Sequence, residues 1–311
     1  MGGGLTVTGL GIVSPLGVGR ADFARALAGG RVGMGELTLC EVPESSACEH
    51  AAEVRDYDWT RHLRTKQAYA DRVTQLALGA ARLALSDAAL PPPIETAGDT
   101  ARTGICFGSL FACIETQEKF FAPVAAGTPK RAGALFFSHA APNAPAAFCA
   151  VELGLGGFST VYSGDAAAGS QALASAARAV ERGTSERVLA GAGEAITAMS
   201  FSHGAFPHPL PNTRGRTPPT RVADAADDAE KNLWGQAPGE GAVFAVLERS
   251  DGADARGARV LGRWADADSL MAAFDAAART FDVGWIFGRS GAVGTWFRAL
   301  GGGFLRLDPD W

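Results

Sequence analysis

Hydrophobic positions fall into two rhythms along this chain, and the rhythms alternate. Leu5 to Leu10 reads as a strand that runs into the loop Gly11 to Gly17, and a helix is expected from Ala21 to Gly29, closed by Gly29-Gly30. Thr65 to Ala89 carries apolar residues at helical spacing and is stopped by three prolines from Pro91 to Pro93. Thr103 to Gly108 is a short buried strand, Leu135 to Leu153 an apolar, Pro-punctuated segment, and Phe158 to Ser163 alternates like a strand. An Ala-rich helix is expected over Ala166 to Arg182, followed by a strand over Arg187 to Glu194. Strands are expected again at Gly239 to Glu248, Arg259 to Trp264 and Val283 to Phe287, with a helix over Ser269 to Arg279. Strands alternating with helices predict an α/β fold, a mostly parallel sheet covered by helices on both faces. Pro207 to Ala229, loaded with Pro, Asp, Arg and Thr, reads as a long irregular surface segment that holds His208, with His203 just before it.

Composition narrows the function classes. With 311 residues, 47% hydrophobic and 20% charged, the chain can bury a substantial core. A net charge of -5 and the lack of a Lys/Arg cluster give no support for nucleic-acid binding, so an acidic partner would have to meet a local basic spot. No apolar run reaches membrane-spanning length and no secretory leader is evident, so a cytoplasmic location is the default expectation. The five cysteines, Cys40, Cys48, Cys106, Cys113 and Cys149, form no Cys-x-x-Cys pair and read as free thiols rather than a zinc site. Gly9 and Gly11 suggest a dinucleotide fingerprint, but Pro15 falls where that motif's helix should already run.

Chemistry is expected at the junction of the strand Phe158–Ser163 and the helix behind it. A strand-to-helix elbow is a place where nucleophiles are mounted, because the helix N-terminus stabilises a developing thiolate or oxyanion. Here the chain offers Ser163, Gly164, Asp165 and three alanines from Ala166 to Ala168, and no cysteine.

Several ordered motifs resemble the β-ketoacyl synthase family of the thiolase fold. Val7 to Gly17 resembles its opening strand and loop, and Pro142 to Ala146 through Leu153 to Gly157 resembles the approach to its nucleophile strand. Gly169 to Leu173, Leu189 to Glu194 and Pro238 to Ala242 match the helix and strand that follow and the start of the second half. The resemblance implies a thiolase-like fold with a complete first half over residues 1–235 and a truncated second half over 236–311.

Departures from the family pattern carry the functional reading. Counted without gaps, the family's cysteine position falls on Ala166, with Asp165 one residue away, and the first catalytic histidine falls on Arg289. An alanine methyl cannot form an acyl thioester, and the second histidine and the lysine find no room before Trp311. The resemblance therefore implies no catalytic residues, no cofactor and no metal, and points to a chain length factor, the non-catalytic partner of a ketosynthase in type II polyketide systems. Within that class the truncation departs from the full-length aromatic-polyketide members and fits better with the shorter partners of polyene-type synthases.

By the same resemblance Phe111, Cys113, Ile114, Thr116, Phe120 and Phe121 are candidate tunnel walls, and Phe136, His139, Asn143, Phe158, Thr160 and Tyr162 candidate interface residues. The expected partners are a ketosynthase in a heterodimer and, through it, an acyl carrier protein. Two alternatives stay open: a scaffold that only stabilises the ketosynthase, and an independent acyltransferase using Cys113 or Cys149 with His139.

Overall fold

A computed structural model describes residues 4–264 apart from 43, 45, 67–68, 91, 96, 165–166, 200–210 and 228–236. Ala166, Asp165, His203, His208, Arg289, the boundary at 235/236 and the elements expected beyond Trp264 lie outside the described residues.

Strands β1 (Leu5–Ser14), β2 (Gly17–Val18), β5 (Thr103–Ser109), β6 (Ser159–Ser163), β7 (Arg187–Glu194), β8 (Gly241–Arg249) and β9 (Gly262–Trp264) form one sheet. Its order is β2-β1-β8-β7-β5-β6, with β9 paired to β1. The short strands β3 (Gly35–Glu36) and β4 (His50–Ala51) pair separately. Helices α1 (Arg20–Ala28) and α2 (Arg72–Asp87) precede β5, with α3 (Ala97–Arg102) leading into it. Helices α4 (Ile114–Ala125), α5 (Ala134–Ala140) and α6 (Ala144–Leu153) link β5 to β6, α7 (Ala168–Glu181) follows β6, and α8 (Ser250–Ala255) follows β8.

The sheet is mixed, which corrects the expectation of a mostly parallel one. Strand β5 is parallel to β6 and β7, but β8 runs antiparallel to both β7 and β1. A strand buried on both faces has the same apolar run in either direction, so composition alone does not set its polarity.

The two faces bury different cores. Leu173 and Val180 of α7 and Phe23 of α1 pack with Val188, Val243 and Leu247 on one face. On the other, Leu76 and Leu85 of α2 and Phe148 of α6 meet Phe107, Leu189 and Phe244. Strand β1 serves the first core with Leu5 and Val7, then with Leu10 and Ile12. Its alternation slips by one because the register against β8 shifts between Val7 and Gly9. Thr8 at the bulge is buried and donates its hydroxyl to Glu248 at 2.5 Å, and Glu248 pairs with Arg256 at 2.6 Å.

Glycines mark the close approaches. A Cβ at Gly11 would lie 1.9 Å from the Ala80 carbonyl oxygen, so α2 rests directly on the β1 backbone there. Gly191 lies between Phe107 of β5 and Phe244 of β8, and the two rings stack over the space it leaves, 5.8 Å apart and 14° from parallel.

Helix α2 begins at Arg72, later than the expected Thr65, because Asp71 caps it by accepting from the Val73 amide. Upstream, Glu152 of α6 accepts from the Arg64 amide and from both the amide and hydroxyl of Thr65, which holds those residues in loop geometry. Asp71 also accepts from the amide and hydroxyl of Thr116, tying the start of α4 to the start of α2.

Candidate functional site

The carboxyl-end edge of β5, β6 and β7 brings three segments together: the turn Ser109 to Cys113, the elbow after Ser163, and Glu194. Glu194 ends β7 and accepts from the Ser109 hydroxyl at 2.9 Å, from the Phe111 amide at 3.3 Å and from the Leu110 amide. The Ser109 hydroxyl oxygen in turn accepts from the Ala112 amide at 2.8 Å, and Ala112 takes φ 47°, a conformation that costs a residue with a Cβ. Gly164, at φ 83°, donates its amide to the Leu110 carbonyl at 3.0 Å, so the turn and the elbow are joined by backbone. Helix α7 comes so close that a Cβ on Gly108 would lie 2.3 Å from the Ala168 carbonyl oxygen. One buried carboxylate therefore shapes a turn that would otherwise be strained, and that turn braces the elbow.

Burial pushes the Glu194 carboxyl from its ordinary value of 4.5 up to about 7, against the pull of its three donors. The folded chain then keeps this proton over a window, from 4.5 to 7, in which the unfolded chain loses it, so stability falls as pH rises across that window. Denaturant melts should show wild type losing roughly 3 kcal/mol across the window relative to Glu194→Gln, at 1.36 kcal/mol per pKa unit. Parallel pH profiles of the two would remove Glu194 from this account.

The candidate tunnel residues divide by environment. Cys113 and Thr116 are fully buried; the first lies in the core and the second is committed to Asp71 and to the Tyr69 hydroxyl at 2.8 Å. Phe111, Ile114 and Phe120 are half-buried, and Phe121 is 56% exposed. Phe120 touches Phe121 edge-on at 5.1 Å and Phe137 of α5 at 5.5 Å.

The candidate interface residues lie on two elements and the helix start between them. On α5, Phe136 and His139 both meet the Tyr69 ring, at 5.1 and 5.6 Å, and His139 also meets Phe148 at 6.2 Å. Asn143 is exposed and caps α6 through its carbonyl, which accepts from the Ala147 amide at 3.0 Å. Phe158 packs against the core just ahead of β6, and Tyr162 of β6 does so with its hydroxyl 2.9 Å from that of Ser175. Thr160 is half-buried on β6, which pairs with β5 along one side and has no strand on the other among the described residues.

Exposed apolar residues add a feature absent from the expected set. Phe137 is 68% exposed, and Leu135, Val124 and Val151 are also largely open. The triplet Leu135-Phe136-Phe137 carried the signal, since three consecutive apolar residues cannot all face inward on one helix.

The cysteines are poorly placed for nucleophilic chemistry. Burial raises the Cys113 and Cys149 thiols far above the ordinary range and pushes Cys106 up to about 12, so each stays protonated near neutral pH. Among the described residues no group of His, Cys, Asp and Glu could hold a metal ion, and no helix is long and apolar enough to cross a membrane.

Residues 4–253 match the family model for the β-ketoacyl synthase N-terminal domain, and the chain belongs to that family. It is 29% identical over 260 residues to 3-oxoacyl-[acyl-carrier-protein] synthase 2 of Synechocystis sp., covering 83% of this chain and 60% of that protein. Among solved structures it is similar to the ishigamide ketosynthase/chain length factor, with a TM-score of 0.68 at 23% identity, covering 85% of this chain and 62% of that one. It is likewise similar to a β-ketoacyl synthase from Burkholderia phymatum, with a TM-score of 0.66 at 25% identity, covering 84% and 62%. The fold is thus the α/β thiolase-like N-terminal half, and the chain spans about three fifths of the length of these relatives.

Proposed function

We propose that this chain is a non-catalytic, chain-length-factor-like subunit that pairs with a ketosynthase and shapes the tunnel for the growing chain. One sequence feature carries the proposal: no cysteine stands between Ser163 and Ala168, and an ungapped count from the flanking motifs puts the family's cysteine position on Ala166, or on Asp165 with a slip of one. Without a thiol there is no acyl-enzyme, and an adjacent Asp165 is a poor acyl carrier. Arg289, where the resemblance would place the first histidine, supports the same reading. The protonated state of Cys113 and Cys149 speaks against an independent thiol acyltransferase.

Pairing is supported by the side of β6 that carries no strand among the described residues and by the apolar residues exposed on α4, α5 and α6. The ketosynthase/chain length factor among its structural neighbours supports a ketosynthase as the partner. Phe121, the most exposed of the tunnel candidates, and the half-buried Phe120 that it touches are the side chains through which volume would be set. An acyl carrier protein would reach this chain through the ketosynthase.

The test is intact-mass spectrometry of the reconstituted pair after incubation with an acyl-carrier-protein thioester. The ketosynthase should gain the acyl mass and this chain none; an acyl adduct on this chain contradicts the proposal. In the same pair Phe120→Ala and Phe121→Ala should lengthen the product. An unchanged product from an intact complex would reduce the role to a scaffold.

A further inference from the structure

A cavity of about 710 Å³ opens between the β1–β2 turn, α1 and the segment around Arg55, far along the sheet from β5 and β6. Four arginines line it, Arg25, Arg31, Arg55 and Arg221, against two carboxylates. Both carboxylates are already engaged. Asp22 pairs with Arg25 at 2.8 Å. Glu53 pairs with Arg55 at 3.3 Å while also accepting from the Thr38 hydroxyl at 2.7 Å and the Leu39 amide at 2.9 Å.

Arg31 and Arg221 are left over, and the backbone holds them together. They face each other in an isolated antiparallel bridge. The flanking bonds run from the Val32 amide to the Thr220 carbonyl at 2.9 Å and from the Val222 amide to the Gly30 carbonyl at 2.8 Å. Bonds at those flanking positions make Arg31 and Arg221 a non-hydrogen-bonded pair, the type that brings side chains closest, with Cα atoms about 4.5 Å apart. Like charges directly opposite are destabilising there. Among the described residues neither guanidinium has an ion-pair partner. The nearby Asp224 carboxylate accepts from the Arg221 backbone amide and the Thr220 hydroxyl, each at 3.0 Å.

We infer that this cavity binds a phosphomonoester, with its phosphate held between the Arg31 and Arg221 guanidiniums. A dianion balances two charges that have no ion-pair partner among the described residues, and a tetrahedral phosphate can offer a pair of oxygens to each guanidinium fork. A carboxylate, with one charge and two oxygens, suits a single fork. The cavity lies in the size range of small-molecule sites, well above what a bare phosphate fills. Leu16, Val18, Val32 and Met34 give it an apolar wall for the body of the ligand. No residue of this cavity belongs to the elbow or the turn that Glu194 holds, so the inference stands independently of the proposed pairing.

The test is calorimetric titration of the full chain, or of its soluble complex, at constant ionic strength with inorganic phosphate, adenosine monophosphate and adenosine. Phosphate should bind, adenosine monophosphate should bind tighter, and adenosine should give no heat. In Arg31→Gln and Arg221→Gln both phosphate-bearing probes should bind at least tenfold more weakly, whereas Arg182→Gln, outside the cavity, should match wild type. Arg221→Lys, which keeps the charge and loses the fork, should also weaken binding and guards against a folding defect. Wild-type affinity in Arg221→Gln overturns the site. Adenosine binding as well as its monophosphate, or the monophosphate binding no better than phosphate, overturns the ligand class.

Discussion

Phe137→Glu is expected to weaken association with a ketosynthase on the order of a hundredfold while leaving this chain folded. The ring of Phe137 is 68% exposed and touches Phe120, so a carboxylate in its place stays hydrated in the free chain and removes little core packing. Buried in an interface, the same carboxylate would have to lose its water without a partner, and that cost appears directly in binding. Leu135→Glu, on the same helix, should act in the same direction. Surface-plasmon titration against the ketosynthase reads the effect, and thermal melts of each variant check the fold. A variant that binds as tightly as wild type would place the interface elsewhere.

Arg72→Met is expected to cost about 3–5 kcal/mol of stability, the range found when one partner of a buried ion pair is removed. Glu240 is buried and accepts from Arg72 at 2.6 and 3.3 Å, from the Val54 amide at 2.9 Å and from the Ile196 amide at 3.4 Å. Arg72 also donates to the Val54 carbonyl at 2.7 Å. The pair thus links the start of α2, the segment around Val54, the end of β7 and the start of β8. Methionine fills the arginine stem's volume but leaves the carboxylate buried without its counter-charge. The double substitution Arg72→Met, Glu240→Leu should recover part of the loss, because no charge is then stranded. Urea denaturation of wild type, the single variant and the double variant separates these outcomes. A single variant within about 1 kcal/mol of wild type would mean the pair contributes only as much as a surface ion pair does.

Much of this arrangement was legible from residue patterns. Strand β7 spans the Arg187 to Glu194 expected for it, and β5 and β6 fall within a residue of expectation, because short apolar runs bounded by Gly and charged residues leave few other readings. The elbow after Ser163 follows from the same pattern. Strand direction was not legible, since Val243, Phe244 and Val246 would be buried whichever way β8 ran. Nor was the late start of α2: the cap at Asp71 is local, but the capture of Thr65 by Glu152, which keeps the upstream residues out of the helix, joins residues far apart in sequence. Nothing in the sequence separated the members of the candidate tunnel set, yet Thr116 is spoken for by Asp71 and Cys113 by the core. The role of Glu194 was visible only as part of a motif, because its partners Ser109 and Phe111 lie more than eighty residues upstream.

The most direct test of the central claim is to produce the chain alone and together with a ketosynthase of the same organism, and to weigh the products by size-exclusion with light scattering. The account predicts low yield and self-association alone and a one-to-one complex together, with the α4–α5 face and the side of β6 that carries no strand among the described residues covered. A stable monomer or homodimer that ignores the ketosynthase would contradict it.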